Sequence, residues 1–521
     1  MNKDRMNIKT MIGILLLVIL VLAGILIVKT FTYPFLKTEK QQNYSAVTVP
    51  LVSNEALERF AGGIRIPTVS TEVYENTNFE PFDRFKAYLP EAYPAIYEAM
   101  DTLTINNYGL VFHWKGKDGS KKPILFLSHY DVVPVIGYED DNQEHLPVEI
   151  VFQPEDEAAP SSDAVHTSWD YPPFSGAVAR GNIYGRGTLD MKCMLFSVLE
   201  AANALLAEGF QPEQDIWFAF GHDEEVGGKQ GAVKIAAYFK EQNMSFDAIY
   251  DEGGIIAAPG SALETIDRPI ALVGQGEKGF LTLRLTVHGL GGHSSMPPKK
   301  SSLVYAAEII EKLNSNQMPA RIIPPIASFF TNIGGEMGFM SRMAIANQWL
   351  LKPLLVKSLS NSPASNALIR STTAISMAKG SDAANVLTSV AEVTVNFRIL
   401  PGSSVADVIE HVENLCEGYK VDIAVISERE PSALSPEDVR AFQVIRETVG
   451  QIYPEAIVSP YITIGGTDAY KYQMVSDHIY RFMPLYLNQY EQRTIHNENE
   501  HISIDNYGKL IWYFKEIMQT Y

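Results

Sequence analysis

Cysteine is nearly missing: the chain has two in 521 residues, Cys193 and Cys416. They lie far apart and neither has a CxxC companion, which excludes a thiolate metal site of the zinc-finger kind. Any metal must therefore be held by His and carboxylate. Cys193 falls in an apolar stretch that reads as a buried helix, so no disulfide is expected. Basic residues are also short, 42 Lys and Arg against 61 Asp and Glu, for a net charge of −19. Neither that balance nor any basic stripe offers nucleic acid the face it needs, so no nucleic-acid partner is expected. A few bound divalent cations would offset part of the charge; most of it is surface acidity that serves solubility. Internal repeats are lacking too. What remains is ordinary globular composition, 46% hydrophobic and 20% charged, at a length that suits two or three domains.

One long hydrophobic run is present, at the amino end. Met11–Val28 (MIGILLLVILVLAGILIV) is unbroken and long enough to span a bilayer at ~1.5 Å per residue. Lys3, Arg5 and Lys9 precede it, so the positive-inside rule leaves the short tail in the cytoplasm and the rest of the chain outside. A cleaved signal peptide is the alternative, but the run exceeds a usual signal core and no small-x-small site follows it. The expected order is a tail over 1–10, a transmembrane anchor over 11–32 and a polar tether over 33–54.

From 55 to 275, short runs rich in β-branched and aromatic residues alternate with helical stretches. The runs are Ile124–Leu127, Ile216–Phe220 and Ile249–Tyr250; the helical stretches include 191–209 and 231–243. That rhythm predicts an α/β domain with a doubly wound, mostly parallel sheet. An acidic, Pro-containing stretch over 139–170 interrupts it and reads as a surface insertion. Near Gly276 the pattern changes. Leu281, Leu283, Leu285 and Val287 alternate strictly, and an amphipathic helix follows. AEVTVNFRIL, VADVIEHVENLC and KVDIAVIS then read as strand, helix and strand. This predicts a smaller, ferredoxin-like α+β domain inserted over 276–430, with a helix-rich apolar segment at 320–370. The first domain resumes over 431–521.

Residues able to bind metal close these strands. His129 and Asp131 lie in SHYD, Asp190 in GRGTLDMK, and Glu224 and Glu225 in GHDEEVGG. Asp251 and Glu252 lie in IYDEGG, and His496 in IHNENEH. Open α/β sheets bind ligands at the carboxyl ends of their strands, so these clusters point to one site. Two residues apart on a strand, His129 and Asp131 share a face, and Asp131 can hold the distal nitrogen of the ring. Asp190 sits at the start of a helix, where the dipole favours a carboxylate that could bridge two cations. The adjacent acids Glu224 and Glu225 are costly at a buried strand end unless a cation takes one, which leaves the other as a general base. Alone, SHYD would read as a hydrogen-bonded core histidine and Asp190 as an ordinary helix-start aspartate. Together they outline a two-metal hydrolase site.

In this order, WDYPPFSG, GRGTLDMKCM, GHDEEVGG, DEGG, GGHSSMPP, NFRILPG, GGTDA and IHNENE resemble the dizinc aminoacylase and carboxypeptidase family. The nearest branch is that of carboxypeptidase S and the N-fatty-acyl-amino-acid synthase/hydrolases. The resemblance implies two zinc ions per chain, which cobalt or manganese can replace. His129 would ligate one ion and Asp190 would bridge both. Glu225 and His496 would complete one shell, and Asp251, with Glu252 as the alternative, the other. Glu224 would be the general base, with Asp131 orienting His129. His293, in GGHSSMPP, resembles a lid histidine that donates to the tetrahedral oxyanion, in some members from the partner subunit. Arg398 resembles an arginine that grips a substrate carboxylate, and Asn385 is a weaker substrate contact. Thr467 and Asp468 receive no chemistry. The family also implies a cis peptide after Asp190, and it commonly pairs into homodimers through the lid. Its usual Gly after the last ligand is Asn497 here, a residue that tolerates left-handed backbone.

The expectation is a membrane-anchored, extracytoplasmic dizinc hydrolase that cleaves an amide next to a free carboxylate. The apolar 320–370 segment favours greasy N-acyl amino acids, and it also reads as an interface or a membrane-facing surface. Carboxypeptidase or dipeptidase action on short peptides is the alternative, and the reverse condensation of fatty and amino acids is another. A non-catalytic metal-binding membrane receptor would be expected to have lost Glu224 or a ligand, and none is missing.

Overall fold

The computed structural model describes residues 8–35, 44–135 and 169–521. Its ten-stranded sheet grows from the apolar runs. Ile216–Gly221, Ile124–His129, Ala248–Asp251 and Ile479–Arg481 lie side by side and parallel. Every residue of Ile124–His129 is buried, as a strand covered on both faces requires. Its side chains alternate between two cores. Ile124 and Phe126 join the helices Lys192–Ala207 and Ile504–Thr520, while Leu125 and Leu127 join the helix Ala232–Glu241.

The sheet expected to be mostly parallel is mixed. Asp101–Ile105 and Gly109–Trp114 form an antiparallel hairpin, and the latter also runs antiparallel to Ile216–Gly221. Asn106 and Asn107 turn this hairpin with φ of 49° and 68°, a conformation that tight turns need and Asn tolerates. At the other side Ile270–Glu277 is antiparallel to Ile479–Arg481 and Ile256–Ala257, yet parallel to Ile457–Thr463. Parallel pairing thus holds at the centre, where helices cover both faces.

The chain divides into two compact units. The larger carries this sheet and takes in Gln42–Leu283, then Arg398–Ile409 and Val425–Tyr521. The smaller holds the N-terminal helix with Arg284–Phe397 and Glu410–Ala424, whereas the pattern reading runs unbroken from 276 to 430. A separate four-stranded sheet has the order Thr372–Lys379, Val390–Ile399, Gly279–His288 and Val421–Arg429. In Gly279–His288 the expected alternation appears, with Leu281, Leu283, Leu285 and Val287 buried. The N-terminal helix, Ile8–Thr32, is long and apolar enough to cross a membrane. Residues 1–7 of the tail, 36–43 of the tether and nearly all of the 139–170 insertion lie outside the described residues. Cys193 and Cys416 are buried free thiols, as expected.

Candidate active site

His129 ends its strand with the ring at the sheet's carboxyl edge. Its Nε2 lies 3.1 Å from Asp190 Oδ1, 3.3 Å from Glu252 Oε1 and 3.9 Å from Glu224 Oε2. The other nitrogen, Nδ1, is 3.0 Å from the Asp131 carbonyl and 3.3 Å from its Oδ1. Asp131 also accepts from Ser70 Oγ at 2.7 Å and from the backbone N–H groups of Glu224 and Glu225, each at 3.1 Å. One buried carboxylate therefore orients the histidine and pins the turn that carries both acids. Across the site His496 Nε2 lies 2.9 Å from Asp190 Oδ2 and 3.1 Å from Glu225 Oε2.

Two triads result, His129–Asp190–Glu252 and Asp190–Glu225–His496. In each the potential ligand atoms lie within 4.8 Å of one another. Asp190 belongs to both, and Glu224 to neither. The two acids of DEGG are placed differently here. Asp251 ends the strand Ala248–Asp251, buried among Thr467, Asp468 and Arg481, and enters no triad. Successive residues of an extended chain face opposite ways, so Glu252, one step on, is the acid that reaches His129. Of the two expected alternatives, the geometry favours Glu252 as the candidate ligand.

Local sequence explains the other placements. The helix begins at Lys192, so Asp190 lies just outside it and its carboxylate is left to the site. A cis peptide joins Asp190 to Met191. The loop before it is held by Glu500, whose Oε1 accepts from the N–H groups of Gly187 (3.0 Å), Leu189 (2.8 Å) and Asp190 (3.2 Å). Its Oε2 pairs with Arg186 at 2.5 Å. In the C-terminal loop the left-handed residues are His496 itself (φ 60°) and Asn499 (φ 58°), not Asn497.

The electrostatics are those of a site short of positive charge. Burial pushes Glu224 well up, with Asp468, Glu252 and Glu225 adding to it. Burial and then the Asp190 charge push Glu225 to about 7 and Glu252 to about 8. Burial would depress the His129 imidazole, but Asp131, Asp190 and Glu252 hold it well above its usual value. Hydrogen bonds to Asp190 and Glu225 lift His496 to about 10. Asp190 goes the other way: burial opposes its ionisation, but His129 and His496 hold it well below the usual carboxylate range. A divalent cation could neutralise these acids in place of protons, and an all oxygen and nitrogen donor set suits zinc, cobalt or manganese.

Asp190, Glu224, Glu225, Glu252 and His496 open into a cavity of about 740 Å³ that Arg398 also lines. Its apolar wall comes from Ile255, Leu485, Leu487 and Ile495, and its rim from Thr463 to Thr467. Pattern reading passed over what holds that rim. Glu277, fully buried, accepts from Arg481 Nε at 2.6 Å, Arg429 Nη1 at 2.8 Å and Thr467 Oγ1 at 3.0 Å. Although burial opposes it, the two arginines keep its carboxyl below the usual range. Charged residues inside apolar strands, such as Arg481 in HIYRFMP, were the available signal. His293 and Asn385 belong to the smaller unit, where they come together. His293 pairs with Val386 across a two-stranded ladder, and Ser294 N–H donates to the Asn385 carbonyl at 3.1 Å.

A mixed α/β sheet bearing carboxylates and histidines around one shared aspartate offers the donor set of a metal-dependent hydrolase. Comparison with known proteins makes the class specific: the chain belongs to the peptidase family M20/M25/M40, whose model matches residues 125–520. It is 34% identical over 470 residues to the probable carboxypeptidase S-like 2 of Dictyostelium discoideum, covering 89% of this chain and 85% of that one. To the N-fatty-acyl-amino acid synthase/hydrolase PM20D1 of Xenopus tropicalis it is 31% identical over 517 residues, 98% of this chain and 95% of that one. The M20 family metallo-carboxypeptidase Sso-CP2 from Sulfolobus solfataricus shares the fold, with a TM-score of 0.60 and 20% identity over 90% of this chain and 99% of that one. The protein is thus an amide hydrolase of the metallopeptidase type, and the receptor reading falls away.

Proposed function

We propose that the protein is a dinuclear metal hydrolase that cleaves N-acyl amino acids at the amide beside their free carboxylate. The observation that carries this is a pair of candidate metal-binding triads joined at Asp190, whose Asp190, Glu225, Glu252 and His496 line one cavity together with an arginine and an apolar wall. His129, Asp190 and Glu252 would hold one zinc ion, and Asp190, Glu225 and His496 the other. Such ions supply Lewis acidity, polarising a carbonyl and making a water easier to deprotonate. Glu224 stands beside both triads without joining either, with its affinity for protons raised by burial. It is therefore placed to take the proton of the attacking water and return it to the leaving amine. Arg398 receives the substrate carboxylate, and the wall of Ile255, Leu485 and Leu487 receives the acyl chain.

The insert read over 276–430 acts as a lid, bringing His293 to the oxyanion and Asn385 to the substrate, with pairing of lids joining two chains. The N-terminal helix is an uncleaved single-pass anchor whose short tail is cytoplasmic, which leaves the catalytic part extracytoplasmic. A relative named synthase/hydrolase supports acyl substrates; a relative named carboxypeptidase S-like supports short peptides as the second reading. The test is hydrolysis of N-acetyl and N-oleoyl amino acids against free and blocked dipeptides by the zinc-loaded chain. Release from acyl amino acids alone is expected; cleavage of peptides alone would transfer the assignment to a carboxypeptidase or dipeptidase.

A further inference from the structure

The N-terminal helix is not left free by its own unit. Leu22, Leu26 and Thr30, four residues apart on one face, are the covered stripe of a helix otherwise exposed along its length. Asn347, fully buried, donates through Nδ2 to the Leu26 carbonyl at 3.1 Å and to Thr30 Oγ1 at 3.2 Å. The Phe31 and Phe339 rings meet at 6.0 Å, and the Lys29 ammonium sits 5.2 Å from the centre of the Trp349 ring. The helices Phe339–Ala346 and Gln348–Leu359 therefore grip the last two turns of the apolar helix, at the level of the first charge that follows the apolar run.

These two helices turn apolar side chains outward. Met340 is 68% exposed, Trp349 56% and Leu354 63%, whereas Leu355 is 6%. Charge sets them apart as well. No acid occurs between Glu336 and Asp382, a stretch that contains Arg342, Lys352, Lys357, Arg370 and Lys379, in a chain of net charge −19. Exposed Trp, Met and Leu among basic residues, fixed beside the end of a membrane-length helix, is the pattern of helices lying in a lipid headgroup layer. A second copy would bring these basic residues against their own kind, which disfavours it as the occupant.

We propose that Phe339–Ala346 and Gln348–Leu359 are a second membrane contact, seated on an anionic lipid surface and locked in depth to the anchor through Asn347. The inference rests on the reading of the N-terminal helix as an anchor, and the test separates the two. Both native cysteines are buried, so a polarity-sensitive thiol dye can be placed singly by Leu354→Cys or by Leu17→Cys. The full chain is reconstituted in vesicles of phosphatidylcholine with phosphatidylserine carrying a shallow nitroxide lipid. We expect the Leu354→Cys label to lose half or more of its emission, and Lys352→Glu with Lys357→Glu to restore it severalfold while the Leu17→Cys label stays lipid-immersed. An immersed Leu17→Cys label with an unquenched Leu354→Cys label would keep the anchor and overturn the second contact. A Leu17→Cys label in water would overturn the anchor. A Leu354→Cys label shielded from water yet unquenched, in a chain that runs as a dimer, would replace the bilayer with a second copy.

Discussion

At the scale of single residues, the proposed roles put the ligands in the two triads and the proton carrier, Glu224, beside them. Glu224→Gln keeps every triad intact, so it is expected to retain its metal while kcat falls by about 10²–10⁴-fold. Metal analysis beside turnover checks this; near-normal turnover would remove Glu224 from the role of base. Glu252→Gln is expected to lose one ion, whereas Asp251→Asn keeps the full complement. The opposite pattern would reverse that choice. His293→Ala should lower kcat with metal content unchanged, and loss of metal would place His293 at the ligands instead. The limit of sequence reading is plain at DEGG. Adjacent acids at a strand end look alike in a list of residues, and only the face each takes, decided by where Ala248–Asp251 stops, separates the candidate ligand from its neighbour.

Elements show the same division between what the sequence displays and what it hides. The central strands and the helices over 191–209 and 231–243 were visible because their patterns are local. The arrangement of Glu277 with Arg481 and Arg429 was not, since the partners are 204 and 152 residues away in the chain. Asn106 and Asn107 could have announced the antiparallel hairpin through their tolerance of positive φ. The Glu277 cluster makes its own prediction. Glu277→Ala leaves Arg481 buried without its carboxylate, and removing one partner of such a pair costs about 3–5 kcal/mol. Urea unfolding should show that loss; a change below about 1 kcal/mol would mean that water or another acid replaces the pair.

For the whole molecule, the balance of charge at the site sets how stability follows pH. In the metal-free chain Glu225 and Glu252 have folded pKa values of about 7 and about 8, above their unfolded values. His129 and His496 are raised as well. A raised pKa contributes stability below the unfolded value and loses it as pH climbs through the folded one. Asp131 and Asp190, being lowered, have already given theirs above the ordinary carboxylate range. The metal-free Tm is therefore expected to fall between roughly pH 5 and 9, and the gap to the zinc-loaded Tm to widen over that span, since metal displaces these protons. Paired thermal melts measure it; a gap independent of pH would mean that the raised groups are not the ligands.

The central claim is a pair of ions joined by Asp190, and zinc titration of the metal-stripped chain tests it most directly. Hydrolysis of an N-acyl amino acid, followed against added zinc, should rise to a plateau at two equivalents per chain. A plateau at one equivalent, or full activity in the stripped protein, would contradict the account.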